Sequence, residues 1–579
     1  MDEGDPLTTR RRLLAGASAA ATGSLAGCTD RIWMGNTGPD QVELTIKTVP
    51  ADDDAAAATI ASRLRENFQA AGIGAAHEPI AKADLYRDVL LDGEYDVFVV
   101  RHYGFDEYDA LYGLLHSQFV TEQGWQNPFR FYNEQCDELL EAQRTDEDDR
   151  DGTLTDLFEF LEETSPYTVV AFPRRIGGVQ SGIGTGIPPA TTTEYLEIMS
   201  EPPEDGSRSD PLEVGVFGEG LTERLNPLVV DRNRIHGLTG LLYDPLVRQF
   251  GTGDDAEYVP WLATEVSWEE QSQATVTLRD NLGWHDGSTV DADDVMFTYR
   301  FLEDTSMGEL DSGLPAPRYR GKQILVENVE RIDSRTVRFS FDRAVQQAAV
   351  RALTIPIFPE HVWEPRSELV ADHQTEALAT DNDEPIGSGL FRLVEVTDNS
   401  VELDPFNEHV LRREPSERPD SLERFSQFSG VHFQVSPNAG TMIDALRNGE
   451  IDLTASPIPP EETDLIRNES STTLVSNEAN SFYMVGYNHD HPSLRYPHFR
   501  RLLSQLIDRE HTVTELFDGF AEPASTFPSL AGIRDDRWEA DDEAAVLEFP
   551  GTDGEINETR VRSLFEDEGH RYEDGELLE

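Results

Sequence analysis

The chain has 579 residues, more than one hydrophobic core usually organises, so two or more domains are expected. Its formal net charge is -64, from 111 acidic against 47 basic residues; phosphate recognition needs a basic stripe, and its lack excludes nucleic acid as a partner. Yet 38% of the residues are hydrophobic, with seven Trp and 28 Phe, so the acid coats a folded globule rather than forming a disordered tail.

The first segment, residues 1–41, reads as targeting sequence and tether. Arg10, Arg11 and Arg12 precede a run of small and apolar residues, Ala15 to Ala26, shorter than the roughly 20 residues of a membrane span. Leu25-Ala26-Gly27-Cys28 resembles a lipobox, in which the Cys28 thiol carries lipid, and the arginines resemble the signal for export of folded proteins. With Cys28 lipidated, Cys136 has no disulfide partner and is expected to be a small buried apolar side chain. Lysine occurs only at Lys47, Lys82 and Lys322. That bias and the acidic excess resemble haloarchaeal proteins, whose self-repulsion molar salt screens by cutting the Debye length to about 3 Å.

Val42 to Thr48 reads as the first strand. A helix follows from about 55 to 71, with Ile60, Leu64 and Phe68 at i, i+4, i+8 and Gly72 as its stop. Tyr95 to Val100 is a continuous apolar run suited to a buried parallel strand, and the alternation points to an α/β fold. Residues 181–210 have the composition of a linker. The most legible stretch runs from Pro260 to Arg300. Thr275, Thr277 and Arg279 alternate with Val276 and Leu278 as in a half-buried strand, Asp286-Gly287 signals a turn, and Asp291 stands as N-cap before an amphipathic helix carrying Val295, Phe297 and Tyr299. His285 beside Asp286 invites a catalytic or metal reading; with no second His or Cys nearby, a turn bonding its local backbone is expected instead. Asn328 to Phe341 is again strand-like.

The segment Pro260 to Arg300, with Trp284-His285-Asp286-Gly287 at its centre, resembles the signature region of the family 5 extracytoplasmic solute-binding proteins, the peptide and nickel receptors of ABC importers. Phe358-Pro-Glu-His-Val-Trp363, Pro385-Ile-Gly387-Ser-Gly389, Ala445-Leu-Arg-Asn-Gly449 and Tyr483 to Asn488 match that family in its usual order. The resemblance implies an α/β, two-lobed periplasmic-binding-protein fold of type II with an extra small domain, acting as a monomer without a cofactor. The order of the rest is unusual. Arg101 to Asp106, Leu115 to Ser117, Trp125 to Asn127, Phe131 to Asn133, Cys136 to Leu140 and Ser165 to Tyr167 resemble the family's carboxy-terminal half, yet they stand first; Leu212 to Phe217 resembles its mature amino terminus, yet follows. Val561 to Gly575 resembles the helix and turn that ordinarily precede the strand placed at Val42. The expectation is a circular permutation, since a tandem fusion would duplicate a segment and no stretch of the pattern occurs twice.

The expected organisation is therefore 42–170 as the carboxy-terminal-type half of lobe 2, 171–245 as lobe 1 with the linker 181–210, 246–357 as the small domain, 358–458 as lobe 1 again and 459–579 as the first half of lobe 2. The resemblance implies a lipid-anchored receptor outside the cell that captures a peptide for an ABC permease and its ATPase; nickel complexes, oligosaccharides or a sensor without a permease are the alternatives. It places Arg101, His102, Tyr103 and Asp106 in the loop whose acid caps a ligand amine, although Arg101 and His102 replace the family's Gly and Trp, and it adds Trp125, Asn127, Glu219, Gly389 and Tyr483 as cleft residues. No His-Glu-x-x-His, phosphate-cradling glycine loop or Gly-x-Ser-x-Gly occurs, so no enzyme is expected.

Overall fold

A computed structural model describes residues 40–579 apart from 106, 123–125, 147–148, 201–209, 219–220, 223, 229–235, 252–255, 271, 312, 343, 372–373, 415–417, 419–421, 423–427 and 535–546. Val42, Leu44, Ile46 and Thr48 are buried and alternate with more exposed neighbours, and the expected first strand forms as β1 (Glu43–Thr48). Helix α1 (Ala55–Ala70) is capped by Asp54, whose carboxylate accepts from the Ala57 amide, and buries Ile60, Leu64 and Phe68. Gly72, with φ +87°, turns the chain into β2 (Gly74–Pro79). After α2 (Lys82–Arg87) comes β3 (Val97–His102), parallel to β1 on the side opposite β2. Helices α3 (Ala110–Leu115), α4 (Glu134–Thr145) and α5 (Arg150–Thr164) lead to β4 (Tyr167–Pro173).

These strands share a six-stranded sheet with two from far along the chain, in the order β2, β1, β3, Phe482–Tyr487, β4, Ala521–Pro523. One face packs on α1 and on the helices Pro497–Gln505, Arg509–Phe517 and Glu558–Asp567; the other packs on α3, α4 and α5. Cys136 is buried in the second core, and burial raises its thiol far above the ordinary range. The chain's two ends meet in this lobe. The Val42 amide donates to Leu577 O at 2.9 Å, the Leu577 amide to Gly72 O at 2.8 Å, and Val561, Phe565 and Leu577 share one core with Val42, Leu44 and Ile46.

Through Arg174 the chain passes directly from β4 into β5 (Arg175–Gln180) of a seven-stranded sheet. That sheet, lobe 1, is ordered Phe391–Val396, Ser400–Pro405, Val431–Ser436, β6 (Leu212–Phe217), Leu453–Thr454, β5, Thr472–Asn477. Two boundaries differ from the sequence reading. Thr192–Ser200, inside the expected linker, is helix α6, because Tyr195, Leu196, Ile198 and Met199 give it a buried face on the lobe 1 core. The return crossing lies at Glu478–Ser481, so residues 459–477 belong to lobe 1 and not to lobe 2.

Between β6 and the strand at Phe391 the chain builds the small domain. Its antiparallel sheet is ordered Val326–Arg331, Thr336–Phe341, Gln273–Leu278, Ala263–Glu270, with the helix Ala292–Glu303 against it. Asp291 and Asp294 form a capping box at that helix. Trp261, Trp284, Phe358 and Trp363 belong to the same hydrophobic cluster as Leu212, Val214, Leu403 and Phe433, so small domain and lobe 1 are one packed body.

Candidate functional site

Strand register fixes where a ligand can sit. In lobe 2, His102 at the end of β3 faces Phe482 at the start of its antiparallel neighbour, so the carboxyl ends of the parallel pair β1 and β3 point at the crossing segments. In lobe 1, Arg175 at the start of β5 faces Asn477, and β6 with Leu453–Thr454, both antiparallel in sense to β5, end on that same side. Both sheets therefore aim the carboxyl ends of parallel strands at one cleft, the place where open α/β sheets bind ligands. In lobe 2 that edge is a switch point, since β2 lies on one flank of β1 and β3 on the other. The cleft floor is Arg174 and Glu478–Ser481. The Arg174 amide donates to Phe520 O, and Arg534 Nη2 bridges Glu478 and Glu522.

Arg101, His102 and Tyr103 stand at the lobe 2 edge of this cleft. Arg101 Nη2 donates to Ser481 Oγ at 2.9 Å, tying β3 to the crossing segment. The His102 ring lies 4.8 Å from both Phe105 and Phe482, and its Nδ1 accepts from the Gly104 amide; burial lowers it to about 4, so it is neutral at pH 7. Tyr103 is 51% exposed, a large aromatic left open at the end of β3. Gly104 has φ +93°, and a Cβ there would lie 2.3 Å from Asn480 O, while Asn480 Nδ2 donates to Phe105 O. The loop is thus pinned on the hinge. Asn480 and Ser481 were missed by the sequence reading, and their signal is a short polar pair just before a continuous apolar strand.

Three other expected ligand residues are corrected to packing roles. Tyr483 is 4% exposed, stands in the lobe 2 core and gives its hydroxyl to Asp54 at 3.0 Å; burial pushes that hydroxyl well above the ordinary range. Asn127 is buried with φ +40°: Nδ2 donates to the Leu115, His116 and Phe131 carbonyls, and Oδ1 accepts from the Phe131 amide. A side chain so fully engaged organises its own loop. Gly389 does permit a close backbone approach, but to Leu241 O, 2.2 Å from where its Cβ would stand. Asp106, Trp125, Glu219 and Cys28 lie outside the described residues.

Asp286 bonds its local backbone as expected, whereas His285 bonds backbone far along the chain. His285 Nδ1 accepts from the Gly387 amide at 3.3 Å, Nε2 lies 3.1 Å from Gly389 O, and burial lowers the ring to about 4. Asp286 accepts from the amide and hydroxyl of Ser288 and pairs with His361. The pair thereby ties this turn to the 361–389 segment that leads back to lobe 1. Among the described residues no group of three or more His, Cys, Asp or Glu could hold a metal ion, and no helix is long and apolar enough to cross a membrane.

Two α/β lobes, two crossing segments and an inserted small domain define a two-lobed periplasmic-binding-protein fold of type II. Residues 257–571 match the model of the bacterial extracellular solute-binding proteins, family 5 (middle region), and the chain belongs to that family. It is 26% identical over 251 residues to the peptidoglycan-binding protein YepA of Agrobacterium fabrum, covering 40% of this chain and 36% of that protein. It is 22% identical over 302 residues to the oligopeptide-binding protein AppA of Bacillus subtilis, covering 52% of this chain and 49% of that one. The chain spans less than half the length of these curated relatives. Among solved structures, that of Bacillus subtilis AppA in complex with a nonapeptide is 19% identical with TM-score 0.47, over 64% of this chain and 68% of that one.

Proposed function

We propose that the chain is the solute-capturing receptor of an ABC importer, with a peptide as its cargo, and not an enzyme. The observation that carries this reading is the convergence of strand ends from both lobes on a cleft floored by two short crossing segments. Such a cleft offers backbone groups to an extended peptide, and a two-stranded hinge lets one body close on the other. Arg101, His102, Tyr103, Asp106, Trp125 and Glu219 remain the proposed ligand residues. The Cys28 lipid would hold the receptor, as a monomer, at the outer face of the membrane for its permease and ATPase. Native mass spectrometry of protein purified from its own host in high salt tests the cargo: a co-purifying peptide supports it, while a sugar or a metal complex replaces it.

We further propose that the fold is a circular permutation of the family arrangement, opened inside lobe 2. What supports this is the contact of residues 40–42 with 577–579: the Glu579 amide donates to Asp40 O at 2.9 Å, and Leu578 forms a bridge with Gln41. Joining Glu579 to Asp40 and opening the chain within residues 201–209 should then give a folded protein with an unchanged circular dichroism spectrum. Failure of that reconnected chain to fold would count against the permutation.

A further inference from the structure

Away from the crossing segments, the two bodies touch a second time. The lobe 2 side of this contact is α3, α4 and the chain around them; the other side is the small domain from Pro317 to Arg351. Its apolar part is slight, since Ile324 is the small-domain side chain packed against the lobe 2 core. The rest is polar. Arg320 makes a two-pronged pair with Glu122, at 2.9 and 3.1 Å, Gln126 Nε2 donates to Pro317 O, and the Val345 amide donates to Arg144 O at 2.9 Å. At its centre Asp109, with a side chain 0% exposed, takes Arg144 Nε on one oxygen at 2.6 Å and Arg351 Nη1 on the other at 2.7 Å.

The division of partners between the bodies is what gives this contact a function. Asp109 draws Arg144 and Gln143 from its own lobe, Arg144 lies 3.5 Å over the Tyr112 ring, and Arg150 pairs with Glu107 beside them. Lobe 2 alone therefore balances two carboxylates with two guanidinium groups. Arg351 is the cation brought in from the other body. Burial would raise the Asp109 carboxyl, and Arg144 and Arg351 together outweigh that and hold it below the ordinary range. When the bodies part, Asp109 keeps its lobe 2 partners and gains water, so separation leaves no isolated buried charge. A polar contact that either side can survive losing is built to open, unlike the continuous apolar core that fixes the small domain to lobe 1.

We propose that Arg351 and Arg320, seated on Asp109 and Glu122, form a releasable catch between lobe 2 and the small domain, and that this catch sets how long a captured solute is held. The second half rests on the solute-binding reading above; the first half does not. Because the Asp109 pair is buried, salt that screens exposed charges leaves it largely intact.

Small-angle X-ray scattering of the full chain without added solute tests the catch. Arg351→Gln, Arg320→Glu and Glu122→Arg should each shift the radius of gyration upward and speed amide exchange around residues 110–127. The combined Glu122→Arg/Arg320→Glu exchange, on half-buried positions that tolerate either charge, should restore the wild-type value. Unchanged scattering in folded single variants, or no restoration in the exchange, overturns the catch. Dissociation of a bound oligopeptide should then be about tenfold faster from Arg351→Gln, as expected when a buried charge pair loses one member. Peptide bound by the wild type and released no faster by the variant overturns the role in retention; scattering changes with no peptide bound by either protein leave the catch standing and overturn the peptide reading.

Discussion

The two bodies that face each other across the cleft differ in how their cores are joined. Lobe 1 has a core on each face of its sheet, and one of the two, running from Val179 to Val475, continues through the small domain, so lobe 1 and the inserted domain are one packed unit. Lobe 2 has a sheet between two separate cores, one on each face, and its strands come from both ends of the chain. Arg101 and Ser481, which meet there, are 380 residues apart. A lobe assembled from such distant segments loses loop entropy before its contacts form, so it should be the slower to fold and the first to open.

Deletion of residues 42–170 is the most severe way to break this comparison. It removes β1, β2, β3 and half of β4, leaving Phe482–Tyr487 with only Ala171 to pair with, Ala521–Pro523 on the 171–173 remnant, and both lobe 2 cores open to water. Soluble protein should be lost, as measured by yield and circular dichroism. A soluble, compact remainder would mean instead that the second body stands alone and that lobe 2 is an added module.

Phe565→Ala is next in size. Phe565 is buried among Val561, Phe499 and His570, on the helix that closes the chain's end against β1. Its truncation should cost about 3–5 kcal/mol in denaturant unfolding. Hydrogen exchange should quicken in residues 43–48 but not in 273–278, because among the described residues the two strands belong to separate apolar clusters; equal loosening of both would show the bodies unfold as one.

Acid sharpens the contrast from a different side. Burial lowers His102 and His285 to about 4 and His489 to about 3. An unfolded histidine titrates near 6.5, so between about pH 6.5 and 4 the unfolded chain binds more protons than the folded one, and stability falls as pH falls through that window. Two of these rings, His102 and His489, belong to lobe 2, and His285 to the other body. Lobe 2 should therefore unfold first on acidification, which amide exchange at pH 7 and pH 5 would resolve. An unchanged exchange pattern across that window would contradict the buried neutral rings.

Most of the fold was legible because it rests on local patterning. The first strand at β1, the i, i+4 spacing of α1 and the Asp291 cap each appear where the sequence puts them. The errors arose where composition stood in for pattern. In 181–210 the glycines and prolines at the two ends masked Tyr195, Leu196, Ile198 and Met199, four apolar residues enough for one buried helical face. At the site, Tyr483 and Asn127 read as cleft residues because they lie near the right strand and loop. Which way a side chain turns depends on partners such as Asp54 and the Phe131 backbone, and these are chosen in three dimensions. The Asp109 to Arg351 contact joins residues 242 apart and carries no local signal at all.

The smallest effect concerns a helix of the small domain, Ala292–Glu303. Asp291 accepts from the Asp293 amide at 2.9 Å, and Asp294 Oδ2 accepts from the Asp291 amide at 3.1 Å while also taking Trp284 Nε1. Asp294 Oδ1 meanwhile accepts from the Glu360 amide, so the cap joins the helix to the segment leading back to lobe 1. Asp291→Ala removes one acceptor at the helix start and should cost about 1 kcal/mol. Asp294→Ala removes acceptors for three donors, two of them outside its own helix, and burial already raises its carboxyl, so removing the charge regains part of the loss. The larger loss should still follow Asp294→Ala, because the Trp284 and Glu360 donors would be left buried without acceptors. Urea midpoints of the two variants decide the point: an equal loss would mean that the cap acts within its helix alone and does not help fasten the small domain to lobe 1.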